Sequence, residues 1–233
     1  MVKQLTGLLF CAGAALSWAN QDAAVPPDRP LLWALQDHRY ERVSYDAKGR
    51  VEERATIDVG RLEVDGDQMN VPLDVEVFTD DAPSRRFSTR WTCTRREADM
   101  VMAILVFAGD LDEPSMRLET SGAPLIYPAG VPDSGLLPDI SVEVQVRQGV
   151  LRIFGARTRI TLADRRIAAA PEAALPTGAY TIRSRAELRA YALGIRVRRV
   201  RFESEELVDP GEGILKHILT REDGSYSALR RIR

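Results

Sequence analysis

Residue types that build common active sites are scarce in this chain of 233 residues. It contains only two histidines, His38 and His217, and two cysteines, Cys11 and Cys93. A zinc site of cysteine and histidine cannot be assembled from so few ligands, and a Ser-His-Asp triad would need one of the two histidines. The sequence also lacks the Gly-x-Ser-x-Gly pattern that presents a nucleophilic serine. We therefore predict a protein that is not an enzyme, with no catalytic, cofactor-binding or metal-ligating residues, in which both histidines are polar strand residues.

One acidic stretch begins like a calcium-binding loop but lacks the residues that such a loop requires. "DGDQMNVPLDVE" places Asp65, Asp67 and Glu76 at the first, third and twelfth positions. Met69 stands where an oxygen ligand belongs, and Asn70 stands where the loop needs glycine. The sequence therefore predicts no calcium site and no cofactor.

Long hydrophobic runs are also missing, and the longest lies at the start of the chain. An apolar run from Leu5 to Leu16 follows Lys3 and precedes the small residues Ser17 and Ala19. A basic start, a short apolar run and small residues at this spacing are typical of a signal peptide, and the run is too short to span a membrane. We predict a signal peptide over residues 1–19, cleavage near Ala19, and an exported protein that does not span the membrane.

Cleavage would leave Cys93 as the only cysteine, which excludes an intramolecular disulfide. It would also remove Lys3 and no acidic residue, so the formal net charge would change from −2 to −3. In "RFSTRWTCTRR", Trp91 and Cys93 lie on one face of a predicted strand, because alternate residues of a strand share a face. A lone thiol in an oxidising compartment survives best when it is buried. We therefore predict that Cys93 is a core residue.

Strand patterns dominate the rest of the chain. Residues 20–30 contain several prolines and predict an extended lead-in, and residues 31–233 predict a single β-rich domain. Apolar residues alternate with polar ones in short segments separated by turns, as in antiparallel sheets with one wet face. The clearest alternating sets are Val71, Leu73, Val75 and Val77, and Ile140, Val142, Val144 and Val146, the second followed by a turn at Gln148-Gly149 and a further strand.

Three segments leave alternatives open. Residues 100–108 are apolar throughout, so periodicity cannot distinguish a buried strand from a buried helix. Residues 184–193 begin with the capping-box residues Ser184 and Glu187, yet alternation over "YTIRSRAELRA" favours a strand. Residues 121–139 are rich in proline and glycine, which is typical of a long ordered loop or of a boundary between two β halves.

The stretch "DPGEGILK", residues 209–216, has two glycines and a lysine that could form a phosphate-binding loop. A dinucleotide-binding fingerprint needs a strand before its glycines, a helix after them and a third glycine. Here a short apolar segment is followed by a turn at Asp223-Gly224. We predict a strand, a turn and a final strand, in which Gly211 and Gly213 provide a positive φ or close backbone approach.

Arginine accounts for all but three of the 32 basic residues, and it clusters in "TRWTCTRR", "ARTRITLADRR" and "IRVRRVRF". A basic sheet with aromatic residues can bind nucleic acid. The net charge here is negative, and the arginines alternate with apolar residues that we interpret as core. We therefore predict ion pairs with glutamates on neighbouring strands, and no nucleic-acid partner.

Several short sequences spread over the chain resemble an exported bacterial family. They are "YDAKGRV", Cys93 with the following Asp99-Met100, "YPAGVPDSGLLPD", "LPTGAYTI" and "GEGILKHILTREDG". Together they resemble the TapB-like domain of unknown function found in Gram-negative envelopes. The chain departs from that family at Glu212, where an apolar residue is usual, and at "ELVD", where an aromatic pair is usual. The resemblance implies a strongly curved antiparallel β fold in the periplasm, and no known activity.

We predict an all-β protein with about ten strands in curved antiparallel sheets, which form a half-open or closed barrel with little helix. Aromatic residues make up only 6% of the chain, and no long helix is evident to fill the barrel, so an unfilled apolar groove is expected. The predicted function is a binding or envelope-assembly protein that holds an apolar small molecule or a client segment. The alternative is a scaffold with a filled core and an envelope protein as its partner.

Overall fold

The structure is a computed structural model that describes residues 34–94, 97–110, 115–122, 127–146, 156–170 and 178–232. The predicted signal peptide, the lead-in of residues 20–30 and the turn at Gln148-Gly149 lie outside the described residues.

Twelve strands and one short helix follow one another along the described part of the chain. The strands are β1 (His38–Tyr45), β2 (Val51–Val59), β3 (Glu63–Asp65), β4 (Gln68–Thr79), β5 (Ala82–Thr94), β6 (Ser115–Gly122), β7 (Ile140–Val146), β8 (Arg157–Ala169), β9 (Tyr180–Ala192), β10 (Ile195–Asp209), β11 (Gly213–Arg221) and β12 (Tyr226–Ile232). Helix α1 (Asp99–Ile104) lies between β5 and β6 and continues as a 3-10 helix, Leu105–Asp110. The strand favoured over residues 184–193 is confirmed, because β9 runs through Ala192.

The sheet closes on itself into a barrel. Its strands are hydrogen-bonded in the order β2-β1-β12-β11-β10-β9-β8-β7-β6-β5-β4-β3, and β2 also pairs with β4. The β2–β4 pairing closes a ring of eleven strands, and β3 forms a short hairpin with β4 beside that ring. The predicted all-β barrel is confirmed in its closed form.

The alternating segments pack their apolar faces inward as predicted. Val71, Leu73, Val75 and Val77 of β4 are all buried, and so are Ile140, Val142 and Val144 of β7. Each fully buried aliphatic side chain of this kind stabilises a fold by about 1.5–3 kcal/mol relative to an exposed one. The alternation therefore fixes which face of each strand forms the core.

Helix α1 fills the interior of the barrel. Strands β5 and β6 pair in parallel, whereas the other paired strands are antiparallel, so the chain must return from one end of the barrel to the other between them. Residues 100–108, which the return segment contains, are all buried, as expected for a helix that is apolar on every side. This settles the alternative left open for these residues. The expected unfilled groove along the concave face is therefore wrong for the middle of the barrel.

The two ends of the barrel are distinguished by the turns that they carry. We call the end with the β9–β10 and β11–β12 turns the mouth, and the opposite end the base. At the base, residues 127–139 form an ordered loop over β8, where the Leu137 amide donates to the Arg165 carbonyl and the Ile167 amide donates to the Gly135 carbonyl. The proline- and glycine-rich segment is thus a cap over the base, as far as the structure describes it.

The "DPGEGILK" stretch forms the turn between β10 and β11 at the base. The Asp209 carboxylate accepts hydrogen bonds from the amides of Gly211 and Glu212, each at 2.8 Å. Gly213 has a φ of 85°, and its Cα lies beside Leu35 and Met102. The predicted arrangement of strand, turn and strand is confirmed.

Cys93 lies in the core beside Trp91, as predicted, and its thiol is expected to be unreactive in the native protein. Burial, and to a lesser degree the nearby carboxylates of Glu97 and Asp99, raises the pKa of the Cys93 thiol to about 12. The thiolate is the reactive form, so a maleimide should label the native protein extremely slowly and label it rapidly after denaturation. Ser88→Cys, on the exposed face of the same strand, is the control that should label in the native state. Rapid native labelling at Cys93, or a disulfide-linked dimer, would contradict its place in the core.

Candidate functional site

The mouth of the barrel contains a partly open pocket of about 280 Å³. Its apolar floor is formed by Phe107, which follows α1, and by Phe202 and Leu219 of strands β10 and β11. Leu188 and Val200 form part of its wall. The two phenylalanine rings meet edge to face, with centroids 5.9 Å apart. The pocket is therefore the space that the internal helix leaves open at this end.

Alternate residues of a strand point to the same face, and this alternation brings the apolar residues of the pocket together. Val200 and Phe202 alternate along β10 with the exposed Arg199 and Arg201, so the apolar pair faces the barrel interior. Leu188 lies directly opposite Val200 on β9. Toward the base the same face of β10 continues with buried side chains, so the pocket ends where the core begins.

Arginines surround the pocket. Arg85, Arg198 and Arg221 line it, and the guanidinium of Arg221 lies 5.8 Å from the centroid of the Phe202 ring. In the described part of the chain, no carboxylate lies within ion-pairing distance of Arg198. An apolar floor with guanidinium groups at its rim is complementary to a molecule with an apolar part and an anionic part.

A larger pocket of about 560 Å³ lies along strands β8 to β11 and has a different character. Glu187 on its surface accepts hydrogen bonds from Arg189, Arg199 and Arg201. The hydrogen bonds from Arg199 and Arg189, that of Arg199 foremost, lower the pKa of the Glu187 carboxyl to about 2. The predicted cross-strand ion pairs are confirmed here, so the charges of this surface largely neutralise one another. We interpret it as a solvated face.

A buried polar cluster lies near the base. The Tyr127 hydroxyl donates to Glu206 Oε2 at 2.5 Å, and Ser204 Oγ lies 2.9 Å from His217 Nε2. Glu206 and His217 are directly opposite each other on β10 and β11. Burial lowers the pKa of His217, and the negative charge of Glu206 acts in the opposite direction. Burial, followed by the Glu206 carboxylate, raises the pKa of Tyr127 well above its ordinary value.

The Ser204–His217 pair has the spacing of a nucleophile and its base, but its surroundings indicate a structural role. A catalytic pair needs room for a substrate beside the serine. Both side chains are buried, and neither lines the mouth pocket or the larger pocket along strands β8 to β11. Through Tyr127 and Glu206, the cluster attaches the capping loop to the barrel wall.

The other residues weighed as ligands do not come together at the mouth. His38 begins β1, and its Nδ1 lies 2.7 Å from the Gln36 carbonyl oxygen. Asp65 and Asp67 lie at the β3–β4 turn, and Glu76 lies within β4. Among the described residues, no group of three or more histidines, cysteines, aspartates or glutamates could hold a metal ion.

Sequence reasoning missed the residues that form the mouth pocket. Phe107 is far in the sequence from Arg198 and Phe202, and only the path of α1 brings it to them. The interpretation of the arginine cluster as alternating with core residues is wrong at Ile195 and Val197, because both are exposed. Exposed aliphatic residues between arginines, next to a Leu-Gly turn, are a pattern that could have identified this region as a surface.

In the described part of the chain, no helix is long and apolar enough to cross a membrane.

Comparison with known families and with curated proteins gives no match, so membership of the TapB-like family is not shown.

Two crystal structures are similar to the chain over most of its length. One is a Bacteroides fragilis protein named as exported and as having a YmcC-like fold, with 15% identity and a TM-score of 0.43 over 85% of this chain and 96% of its own. The other is a Parabacteroides distasonis protein named as a lipoprotein, with 13% identity and a TM-score of 0.46 over 88% of this chain and 98% of its own. These likenesses carry no functional conclusion for this chain.

Proposed function

We propose that this is an exported, non-enzymatic binding protein that holds one anionic amphiphile in the mouth of its barrel. Export rests on the signal-peptide pattern of residues 1–19. The observation that carries the binding function is the mouth pocket, in which Arg198 and Arg221 stand over the apolar floor made by Phe107 and Phe202. The aliphatic part of the ligand would lie on that floor, and its carboxylate or phosphate would bind the guanidinium groups.

The internal helix limits what the pocket can hold. Because α1 and the residues after it occupy the barrel interior, the ligand cannot extend along the whole concave face. A volume of about 280 Å³ is at the small end for ligand pockets, and it suits one aliphatic chain or one apolar side chain of a client segment. Arg85, Arg198 and Arg221 at the mouth would bind the anionic group of the ligand.

The filled interior also supports a second candidate function, a scaffold that binds an envelope protein through its outer surface. Residues 100–108 are buried on every side, as in a barrel that needs no ligand to complete its core. The two functions differ in whether the mouth binds a small amphiphile.

Binding of a fluorescent long-chain fatty acid and of its methyl ester tests the proposal. The native protein should bind the fatty acid saturably, with about one probe per chain, and should bind the uncharged ester more weakly. Arg198→Gln should weaken fatty-acid binding about tenfold and leave ester binding nearly unchanged, since a charge-assisted hydrogen bond contributes about 1.5–3 kcal/mol. Val200→Asp should abolish binding of both, because it places a charge in the apolar wall.

Val51→Asp is the matched control, because Val51 is an exposed valine on β2 that does not line the mouth pocket. It should bind both probes as the parent does, and thermal melting should show that all three variants are folded. If the folded parent binds neither probe saturably, or if Val200→Asp binds like Val51→Asp, the mouth is not the binding site and the scaffold function is favoured.

A further inference from the structure

The tip of the β9–β10 hairpin exposes large aliphatic side chains. Leu193 is 70% exposed, Ile195 is 68% exposed and Val197 is 64% exposed. All three lie within five consecutive residues, although large hydrophobic residues are otherwise mostly buried in the described part of the chain. A concentrated exposed apolar patch marks an interaction surface, whereas single exposed aliphatic residues need no explanation.

The backbone at the tip is also unusual for leucine. Leu193 has a φ of 52° and Gly194 has a φ of 78°, so both central residues of the turn are left-handed. Turns of this kind favour asparagine, aspartate or glycine, because a larger side chain is disfavoured at a positive φ. Neither its burial nor its backbone conformation therefore accounts for leucine at position 193.

The hairpin projects past its neighbour on one side. Pairing between β10 and β11 ends at Phe202 and Arg221, so residues 195–201 extend beyond the end of β11. At about 3.3 Å per residue, this stretch of strand is on the order of 20 Å long. Strand β8 supports β9 on the other side as far as Tyr191. The apolar tip is thus held out from the barrel on an ordered strand pair.

Positive charge flanks the apolar tip. Arg196, Arg198 and Arg199 are exposed, and Arg199 is paired with Glu187. Around Arg196 and Arg198, no carboxylate in the described ranges is close enough for an ion pair. Aliphatic side chains at a tip, followed at once by guanidinium groups, match the interface of a bilayer that contains anionic lipids.

We propose that the β9–β10 tip docks the protein on anionic phospholipid bilayers. Leu193 and Ile195 enter the headgroup region, and Arg196 binds lipid phosphates. The backbone at the tip closes its own turn, so only side chains need to enter the apolar boundary. Docking would hold the mouth at the bilayer surface, but it does not depend on whether the mouth binds an amphiphile.

Beyond Phe202, the edge of β10 that faces β11 pairs with no described strand, and an acidic polypeptide strand added to this edge is an alternative that the structure favours less. The β9–β10 register shifts between Arg196 and Arg198, which places a bulge at Val197. A bulge and a row of positive charges are features that prevent regular strand addition at an edge. Strand addition would also leave Leu193, which lies in the turn before β10 begins, without a role.

Co-sedimentation with vesicles tests the proposal directly. The protein should bind vesicles rich in phosphatidylglycerol at least tenfold more tightly than vesicles of pure phosphatidylcholine, and salt should weaken that binding. The double variant Leu193→Asn and Ile195→Ser should lose at least tenfold in affinity. Its melting temperature should be unchanged or raised, because asparagine suits the backbone at position 193. Arg196→Gln should lose two- to fivefold and should show a weaker salt dependence.

Leu136→Ser is the matched control, because Leu136 is an equally large exposed side chain at the base, opposite the mouth. It should bind vesicles as the parent does. Equal binding to both vesicle types, or unchanged binding by the double variant, would refute docking through the tip. Binding to poly-glutamate without binding to anionic vesicles would assign this surface to an acidic polypeptide. None of these substitutions alters the mouth pocket, so the fatty-acid experiment is independent of this one.

Discussion

Replacing Gly213 with valine is expected to destabilise the barrel by about 3–5 kcal/mol. Gly213 has a φ of 85°, which is strained for a β-branched residue. A Cβ at this position would lie 3.2 Å from Leu35 Cδ2 and 3.4 Å from Met102 Cε. Valine would therefore combine backbone strain with overpacking at the base, where the segment before β1 and the internal helix meet.

Gly224 offers a control that separates these two costs. It has the same φ of 85°, but a Cβ there would meet nothing within 4 Å. Gly224→Val should therefore cost only the backbone strain, about 1–3 kcal/mol. Urea denaturation of both variants gives the difference as the packing cost at Gly213. Equal destabilisation would mean that Gly213 is needed only for its backbone conformation.

Much of the barrel could be predicted from sequence because its strands have one packed face and one wet face. In such strands apolar and polar residues alternate along the sequence. This pattern correctly predicted that the inward residues of β4, and Trp91 and Cys93 of β5, are buried. Turn residues also indicate local structure, and the β10–β11 turn and the turn at Asp223-Gly224 follow from them. These features depend on neighbours within a few residues, so a single sequence contains them.

The path of α1 could not be predicted in the same way. Residues 100–108 are apolar on every side, and both a core strand and a core helix have that composition. The choice depends on β5 and β6 being parallel, which requires a return segment, and that pairing joins residues on either side of the helix. The groove expected at the sequence level was wrong because this plug was not recognised.

A bulge explains why the burial of His217 was not evident from the sequence. Opposite Leu207 and Val208, the register of β11 shifts, so Ile214 and His217 both face the interior although they are three residues apart. Because of this shift, the buried residues of β11 do not alternate regularly along the sequence. The sequence therefore does not show that His217 lies on the buried face. A one-residue insertion reverses every later assignment on a strand. Ile195 and Val197 were wrongly interpreted as core residues because this part of β10 extends beyond the end of β11, and both are exposed there.

Stability should fall as the pH drops below about 6.5, and His217 should be the main cause in the mildly acidic range. Burial lowers the pKa of His217 in the native barrel, whereas the unfolded chain has the ordinary value of about 6.5. Between these two pKa values the unfolded state binds a proton that the native state does not. Between these two pKa values the free energy of unfolding should therefore decrease as the pH falls, with a slope of at most about 1.4 kcal/mol per pH unit.

The variant His217→Gln should remove this dependence between pH 7.5 and pH 5. Glutamine can still bond to the Ser204 hydroxyl, which His217 Nε2 contacts at 2.9 Å, but it does not titrate. The only other histidine is His38, at the start of β1, and His38→Gln is the control that should keep the parent's slope. Denaturation should be measured above pH 5, because ordinary carboxylates titrate below that value.

If stability does not fall as the pH drops below 6.5, the explanation would involve Glu206. It lies directly across from His217, and its Oε1 atom has no hydrogen-bond partner among the described residues. If protonated His217 formed an ion pair with Glu206 in the native barrel, stability would stay level or rise as the pH fell through 6.5. Burial is the larger of the two influences on His217, so we expect the decrease. A level or rising curve in the parent, lost in Glu206→Gln, would show that the pair is charged in the native barrel.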